Sequence, residues 1–188
     1  MTAKPAFNFR YDPSLAEFAV SKQSYLTDRQ DASFGYIATS TLVLDTKIAS
    51  EPRLLLLQRA ASDSSPNKWE PPGGACDDDD ESILHAAARE LWEETGLQAV
   101  RFDGLVGSPY FFTLSDGKKV CQFNFVVHVR SDGRTLPAVR LDPMEHQDFV
   151  WATEREIEAR KVNDKGLDFT TEEVAHTALL VFEHFRRN

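Results

Sequence analysis

Cysteine is scarce in this chain: Cys76 and Cys121 are the only two in 188 residues. Two thiols are too few for a disulfide framework, which fits a reducing compartment. Long hydrophobic runs are absent too. Apolar stretches such as Leu54 to Leu57 fall far short of the ~20 residues that span a bilayer. No basic N-terminus leads into an apolar segment, so no secretory signal is read and the expected compartment is cytoplasmic. Positive charge is in short supply: 21 basic residues stand against 30 acidic ones, a net charge of −9. That speaks against a broad non-specific binder of nucleic-acid polymers, which needs a basic face. It leaves small anionic substrates open, because clustered carboxylates hold divalent ions and the ions hold phosphates. Internal repeats are missing, and the only low-complexity stretch is Asp77 to Asp80.

What is present is an ordinary globular balance, 41% hydrophobic and 27% charged. At roughly 150 residues per domain the length gives one domain with an extension. Residues 1–33 are expected to be that extension, packed on a core domain of 34–188. Within it, alternating Phe7, Phe9 and Tyr11 suggest a short strand, and Asp12-Pro13 a helix start. Strand patterns follow at 34–45 and 53–59, expected to pair as a hairpin with a long loop. Trp69-Glu70-Pro71-Pro72-Gly73-Gly74 breaks the chain. A helix is read from about Glu81 to Thr95, with Gly96 as its C-cap. Strands are then read near 99–106, 110–114, 120–130 and 148–151. In the third of these, Cys121, Phe123, Phe125, Val127 and Val129 share one face. Thr153 with Glu156 and Thr170 with Glu173 look like capping boxes for two further helices. Pattern alone supports α+β or α/β.

The chemistry concentrates between Gly73 and Leu97. Glu90, Glu93 and Glu94 are spaced i, i+3, i+4, so three carboxylates share one helix face. Like charges at this spacing repel by a few tenths of a kcal/mol per pair, and no lysine is interspersed. Glu81 lies two turns before Arg89 and is expected to pair with it. Ile83, Leu84, Ala87, Ala88 and Leu91 supply the apolar side. One face is thus anchored while another presents concentrated negative charge, which hard divalent ions prefer. An acidic surface helix is the competing reading of the cluster by itself.

The segment resembles the signature of the Nudix hydrolases, G-x5-E-x7-R-E-U-x-E-E-x-G-U with U aliphatic. Glu81, Arg89, Glu90, Leu91, Glu93, Glu94, Gly96 and Leu97 stand at matching positions. One departure exists: six residues, not five, separate Gly74 from Glu81. A bulged loop is expected there, with the helix untouched. The resemblance covers about residues 34–160 and implies an α/β/α sandwich with a mixed β-sheet, the motif forming loop–helix–loop. It also implies a pyrophosphohydrolase that cleaves nucleoside diphosphate derivatives with Mg²⁺, or Mn²⁺ in its place. Glu90, Glu93 and Glu94 would be metal ligands together with a carbonyl of Gly73 or Gly74, Arg89 would orient a carboxylate, and Glu81 would brace Arg89. The general base would be a box glutamate such as Glu94, or a residue on a later loop, where Glu145 and His146 sit. Glu145 would alternatively complete the metal shell.

Substrate contacts are read from residue type. Arg59, at the end of a strand, suits a phosphate or a surface ion pair. Trp69, Tyr110, Phe111 and Phe112 suit a flat heterocycle or the core. Gln122 and Asn124, on one strand face, suit a base edge. His85 reads as a surface or packing histidine, and Cys76 lacks a nearby basic partner in sequence that would make it a nucleophile. The expected partner is a small nucleotide, acted on by a monomer or homodimer, with no membrane and no nucleic-acid polymer. A catalytically silent nucleotide-sensing module of the same family is the alternative, although such a module would be expected to lose box glutamates. An alkyl-diphosphate isomerase is a third reading.

Overall fold

The computed structural model describes residues 5–29, 32–131 and 136–187. The chain begins with β1 (Arg10–Tyr11), a 3-10 turn (Pro13–Phe18) and α1 (Lys22–Thr27). Next come β2 (Tyr36–Leu42), β3 (Leu44–Asp45), β4 (Arg53–Arg59), β5 (Trp69–Glu70) and β6 (Gly73–Ala75). The helix α2 (Ile83–Thr95) precedes β7 (Ala99–Leu105), β8 (Tyr110–Thr113) and β9 (Lys119–Val129). The last third holds β10 (His146–Thr153), α3 (Glu154–Glu158), β11 (Lys161–Val162), β12 (Lys165–Gly166) and α4 (Glu172–Arg187).

Strand β9 is the axis of a mixed six-stranded sheet. β2 runs parallel to it from Tyr36↔Val120 to Leu42↔Val126. Its other edge pairs antiparallel with β8 at the start and β7 at the end. β6 adds antiparallel beyond β2, and β1 adds parallel beyond β7. A second, antiparallel sheet has β4 between β10 and β3, with β5 also on β4. The expected hairpin of 34–45 with 53–59 is therefore split. The chain leaves the first sheet at Val43, and only Leu44 and Asp45 pair with β4.

Strand β4 shows why the fold has two cores. Leu54 to Leu57 are all solvent-free; Leu55 and Leu57 enter one apolar cluster, Leu54 and Leu56 the other. A strand buried on both faces needs a continuous apolar run rather than alternation. The first cluster is closed by α2 through Ile83, Leu84, Ala87, Ala88 and Leu91. The second is closed by Ile157 of α3 and Ala178, Val181 and Phe182 of α4. The result is an α/β/α arrangement, with sheets between α2 on one side and α4 on the other. The face read for β9 holds: Cys121, Phe123, Phe125 and Val127 are buried on the α2 side.

Residues 5–29 lie on the first cluster, where Leu15, Phe18 and Tyr25 are buried. Asp12 caps the 3-10 turn by accepting from the Ser14 N–H at 2.9 Å. The capping box at Thr153 and Glu156 is formed reciprocally. The second expected box is displaced by one residue: the Thr171 hydroxyl, not Thr170, accepts from the Val174 N–H at 3.1 Å. Strand β10 also starts earlier than expected, at His146. Among the described residues no helix is long and apolar enough to cross a membrane.

Candidate active site

The helix that carries the carboxylates is fixed at both ends. The Ser82 hydroxyl caps its N-terminus by accepting from the His85 N–H. Gly96 ends it in the left-handed region at φ 70°, and its N–H donates to the Trp92 carbonyl. Between these caps the apolar face is buried, so the polar face has one orientation. Arg89 is nearly buried on that face. Its Nη1 donates to Glu90 at 2.8 Å and Glu93 at 3.0 Å, and its Nη2 to the Ala75 carbonyl at 2.9 Å.

The residue that braces Arg89 is not Glu81. Asp80 takes Arg89 Nε at 2.9 Å on one oxygen and Nη2 at 2.8 Å on the other, a two-pronged pair. Glu81 points outward, its side chain 84% exposed, with His85 Nε2 at 3.5 Å as its nearest basic group among the described residues. The longer loop explains the exchange. Counted from Gly74 with five intervening residues, the acidic position is Asp80; counted back from Arg89 with seven, it is Glu81. The turn is wound around Asp80, whose carboxylate also accepts the Asp77 N–H at 2.8 Å. Spacing from the glycine would have found it; spacing from the arginine did not.

Strand β6 brings the glycines against the helix. The Gly73 N–H donates to Glu94 at 2.8 Å. A Cβ on Gly74 would stand 2.6 Å from the Glu90 carboxyl carbon, and one on Gly73 would stand 2.2 Å from the Thr39 carbonyl oxygen. Only glycine lets the strand and the carboxylates approach this closely. Glu94 is buried, and burial pushes its carboxyl well above the usual range. The Gly73 N–H opposes this, while Glu90, Glu70 and Glu145 add to it. Burial likewise raises Glu90, against the pull of Arg89. Burial raises the Cys76 thiol to about 12, so Cys76 stays protonated and is no nucleophile.

Glu145 and His146 arrive from the start of β10. Glu94, Glu145 and His146 each offer a ligand atom, and these atoms lie within 4.8 Å of one another. Glu70 of β5 also joins, 4.0 Å from His146 Nε2. No local pattern singles out Glu70; the pairing of β5 with β4 places it. Arg89 pairs with Glu90 and Glu93, whereas Glu94 and Glu145 meet no guanidinium among the described residues. Such an excess of oxygen donors, with an unpaired imidazole beside it, fits a divalent cation.

The substrate-contact residues divide. Arg59 is engaged by Glu70 and by Asp63 at 2.7 Å. Burial alone would lower its pKa; the two carboxylates outweigh that and hold it raised. Trp69 is 1% exposed in the second core, so its ring is not available to a heterocycle. In sequence, an aromatic residue of a core and one of a binding cleft carry the same signal. Phe111 is exposed and packs on Phe34, while Phe112 stacks on Tyr110 at 5.4 Å. Tyr110, Gln122 and Asn124 do meet, lining one narrow cleft with Ser40, Pro71 and Glu173. Ser40 pairs with Gly73 across the sheet, so this cleft adjoins the carboxylate site. Gln122 Nε2 donates to Asn124 Oδ1 at 3.1 Å. His85 packs on Phe9 and bonds Ser82, as a packing histidine would.

A carboxylate-rich helix clamped by a glycine strand, in a sandwich of two sheets and flanking helices, defines an α/β protein with an acidic cluster able to hold a divalent ion. The chain matches the NUDIX domain over residues 37–171 and belongs to the Nudix family. It is a Nudix-type pyrophosphohydrolase. Among solved structures it is similar to a MutT protein from Methanosarcina mazei Go1, at 28% identity and TM-score 0.57, covering 81% of this chain and 93% of that one. A NUDIX hydrolase from Nitrosomonas europaea shares the fold at 23% identity and TM-score 0.59, covering 79% and 89%. So does an Ap4A hydrolase from C. elegans, solved as a binary complex, at 23% identity and TM-score 0.52, covering 80% and 98%. No curated protein gives a significant match.

Proposed function

We propose that this chain hydrolyses a diphosphate linkage in a small nucleoside diphosphate derivative, by attack of water on phosphorus, with Mg²⁺ or Mn²⁺ bound by Glu90, Glu93, Glu94 and Glu145. The observation that carries this is the buried Glu94 beside Glu90 and Glu145, carboxylates gathered where one guanidinium cannot balance them. A bound divalent ion supplies Lewis-acid activation of water and neutralises charge building on phosphate oxygens. The protein's part is placement. Asp80 and Arg89 hold Glu90 and Glu93 in register, and the Gly73 N–H fixes Glu94. The cleft of Tyr110, Gln122 and Asn124 offers an aromatic ring and two amides beside the site, chemistry suited to a base.

The test is a product-resolved panel with Mg²⁺ and with Mn²⁺. It contains nucleoside triphosphates, a dinucleoside polyphosphate, ADP-ribose, nucleotide sugars and coenzyme A, and Glu93→Gln/Glu94→Gln runs beside the native chain. Metal-dependent cleavage at a diphosphate, lost in the double variant, is the expected result and names the substrate class. Saturable binding of one nucleotide without turnover of any would replace the hydrolase by a sensor. Glu94 and Glu145 are the candidate bases, and the pH–rate profiles of Glu94→Gln and Glu145→Gln distinguish them.

A further inference from the structure

One buried group at the site is left without a partner. His146 is 3% exposed, and neither ring nitrogen has a hydrogen-bond partner among the described residues. Nδ1 lies 4.0 Å from Glu94 Oε1, and Nε2 lies 4.0 Å from Glu70 Oε1, both too long for hydrogen bonds. Buried polar groups in folded proteins are nearly always paired, so an orphan imidazole at an acidic cluster points to a missing ligand.

The backbone aims this residue. β10 pairs with β4 in regular register from Asp148 to Thr153, but the register shifts between His146 and Asp148. Strict alternation from Val150 and Ala152, which enter the second core, would turn His146 away from α2. The extra residue, Gln147, moves it opposite Arg59 and onto the α2 side, where Glu94 stands. Bulges that re-aim one side chain are a recurrent device beside active sites.

We propose that His146, with Glu94 and Glu145, forms a mixed nitrogen–oxygen subsite that takes a first-row transition ion in preference to Mg²⁺. The proposal rests on the metal-dependent reading above and refines it. Metal–ligand bonds of about 2.1 Å put opposed donors roughly 4.2 Å apart. The 4.0 Å between His146 Nδ1 and Glu94 Oε1 is of that size. Imidazole suits borderline ions such as Co²⁺ and Zn²⁺, whereas Mg²⁺ favours oxygen donors only. The far nitrogen supports the assignment. Metal-bound histidines characteristically present their other N–H to a carboxylate. Here Nε2 faces Glu70, which Arg59 holds in place. Arg59 and Glu70 become positioning residues for the imidazole.

The test uses the full chain loaded with Mn²⁺ and read by pulsed electron paramagnetic resonance. A second preparation carries ¹⁵N-histidine. The native chain should show nitrogen coupling to the ion, changed by the label, lost in His146→Gln and kept in His85→Gln. Calorimetric titration should show Co²⁺ affinity falling on the order of tenfold or more in His146→Gln, with Mg²⁺ affinity little changed. Should His146→Gln fail to fold, replacing each of the other four histidines in turn gives the answer: coupling that survives all four belongs to His146. Mn²⁺ bound with no nitrogen coupling, or coupling that persists in His146→Gln, overturns this proposal and leaves the hydrolase reading standing. No Mn²⁺ binding at all overturns both.

Discussion

Asp80→Asn should destabilise the metal-free chain by about 3 kcal/mol, whereas Glu81→Gln should change it by no more than about 0.5 kcal/mol. The magnitudes follow from burial. The Asp80 and Arg89 side chains are 8% and 6% exposed, and their two contacts measure 2.8 and 2.9 Å. Breaking a buried pair by removing one partner costs about 3–5 kcal/mol. The lower end applies because Arg89 keeps Glu90, Glu93 and the Ala75 carbonyl. Glu81 loses only an exposed contact to His85 at 3.5 Å. The assay is urea unfolding followed by far-UV circular dichroism, with chelator present. At a slope of about 2 kcal/mol/M, Asp80→Asn shifts the midpoint down by roughly 1.5 M. Mn²⁺ affinity in the same variant should fall about 10–100-fold, since Arg89 is freed to bind Glu90 and Glu93 more fully. If Glu81→Gln lowers the midpoint as far as Asp80→Asn does, the assignment of Asp80 as the brace is refuted.

Three further outcomes follow from particular contacts. Gly73→Ala should cost about 1–3 kcal/mol of stability, because its Cβ meets the rigid backbone of Thr39. Gly74→Ala meets the movable end of Glu90 instead, so it should keep its melting temperature and lose metal affinity; equal melting losses in the two would contradict this. The raised carboxyls of Glu90 and Glu94 set a pH dependence. Their folded pKa values lie above the unfolded value of 4.5, so the metal-free fold loses stability as pH rises from 4.5 through the folded values, and Glu94→Gln flattens that slope. Metal binding must therefore release protons, and its affinity should rise with pH; titration calorimetry near pH 5.5 that gives the same heat in buffers of different ionisation enthalpy would oppose this. Finally, Trp69→Ala should cost about 3–5 kcal/mol, read by thermal unfolding, while Tyr110→Ala should raise KM on the cleaved substrate with a near-native melting temperature.

Local signals were legible where one physical requirement acted alone. The Gly96 cap, the apolar face of α2 and the faces of β9 each depend on a single periodicity or backbone demand. The carboxylate trio was legible for the same reason, since helix geometry alone puts it on one face. Legibility ended where two segments compete for one place. Asp80 and Glu81 are adjacent acids, and the choice between them depends on how the turn meets β6. Trp69 is aromatic in either a cleft or a core, and only the second sheet decides which. The bulge after His146 is a property of the pairing of β10 with β4, not of either strand. Thr170 and Thr171 are equivalent caps by type, and the helix start chooses Thr171.

The acidic turn at 77–80 shows how these levels combine. Consecutive aspartates repel, and a turn built from them would open unless cations closed it. One cation comes from inside, Arg89 on Asp80. The other comes from residues far away in sequence: Lys22 Nζ bonds the Cys76 carbonyl at 2.8 Å and Asp78 at 2.6 Å. The hydrogen bond to Lys22 holds Asp78 below the usual carboxylate range. Gln23 adds a bond to the same carboxylate, and the Ile83 N–H at the start of α2 donates to the Val20 carbonyl. The segment before β2 thus stabilises the turn and the first residue of α2 together. Lys22 and Gln23 are spent on Asp78, and two nitrogens of Arg89 on Asp80, so the charges of these two aspartates are met within the protein. The carboxylates of Glu94 and Glu145 have no such cation among the described residues. That asymmetry, compensated charge in the turn and uncompensated charge one strand away, favours α2 over the more conspicuous aspartate run as the place for the proposed cation.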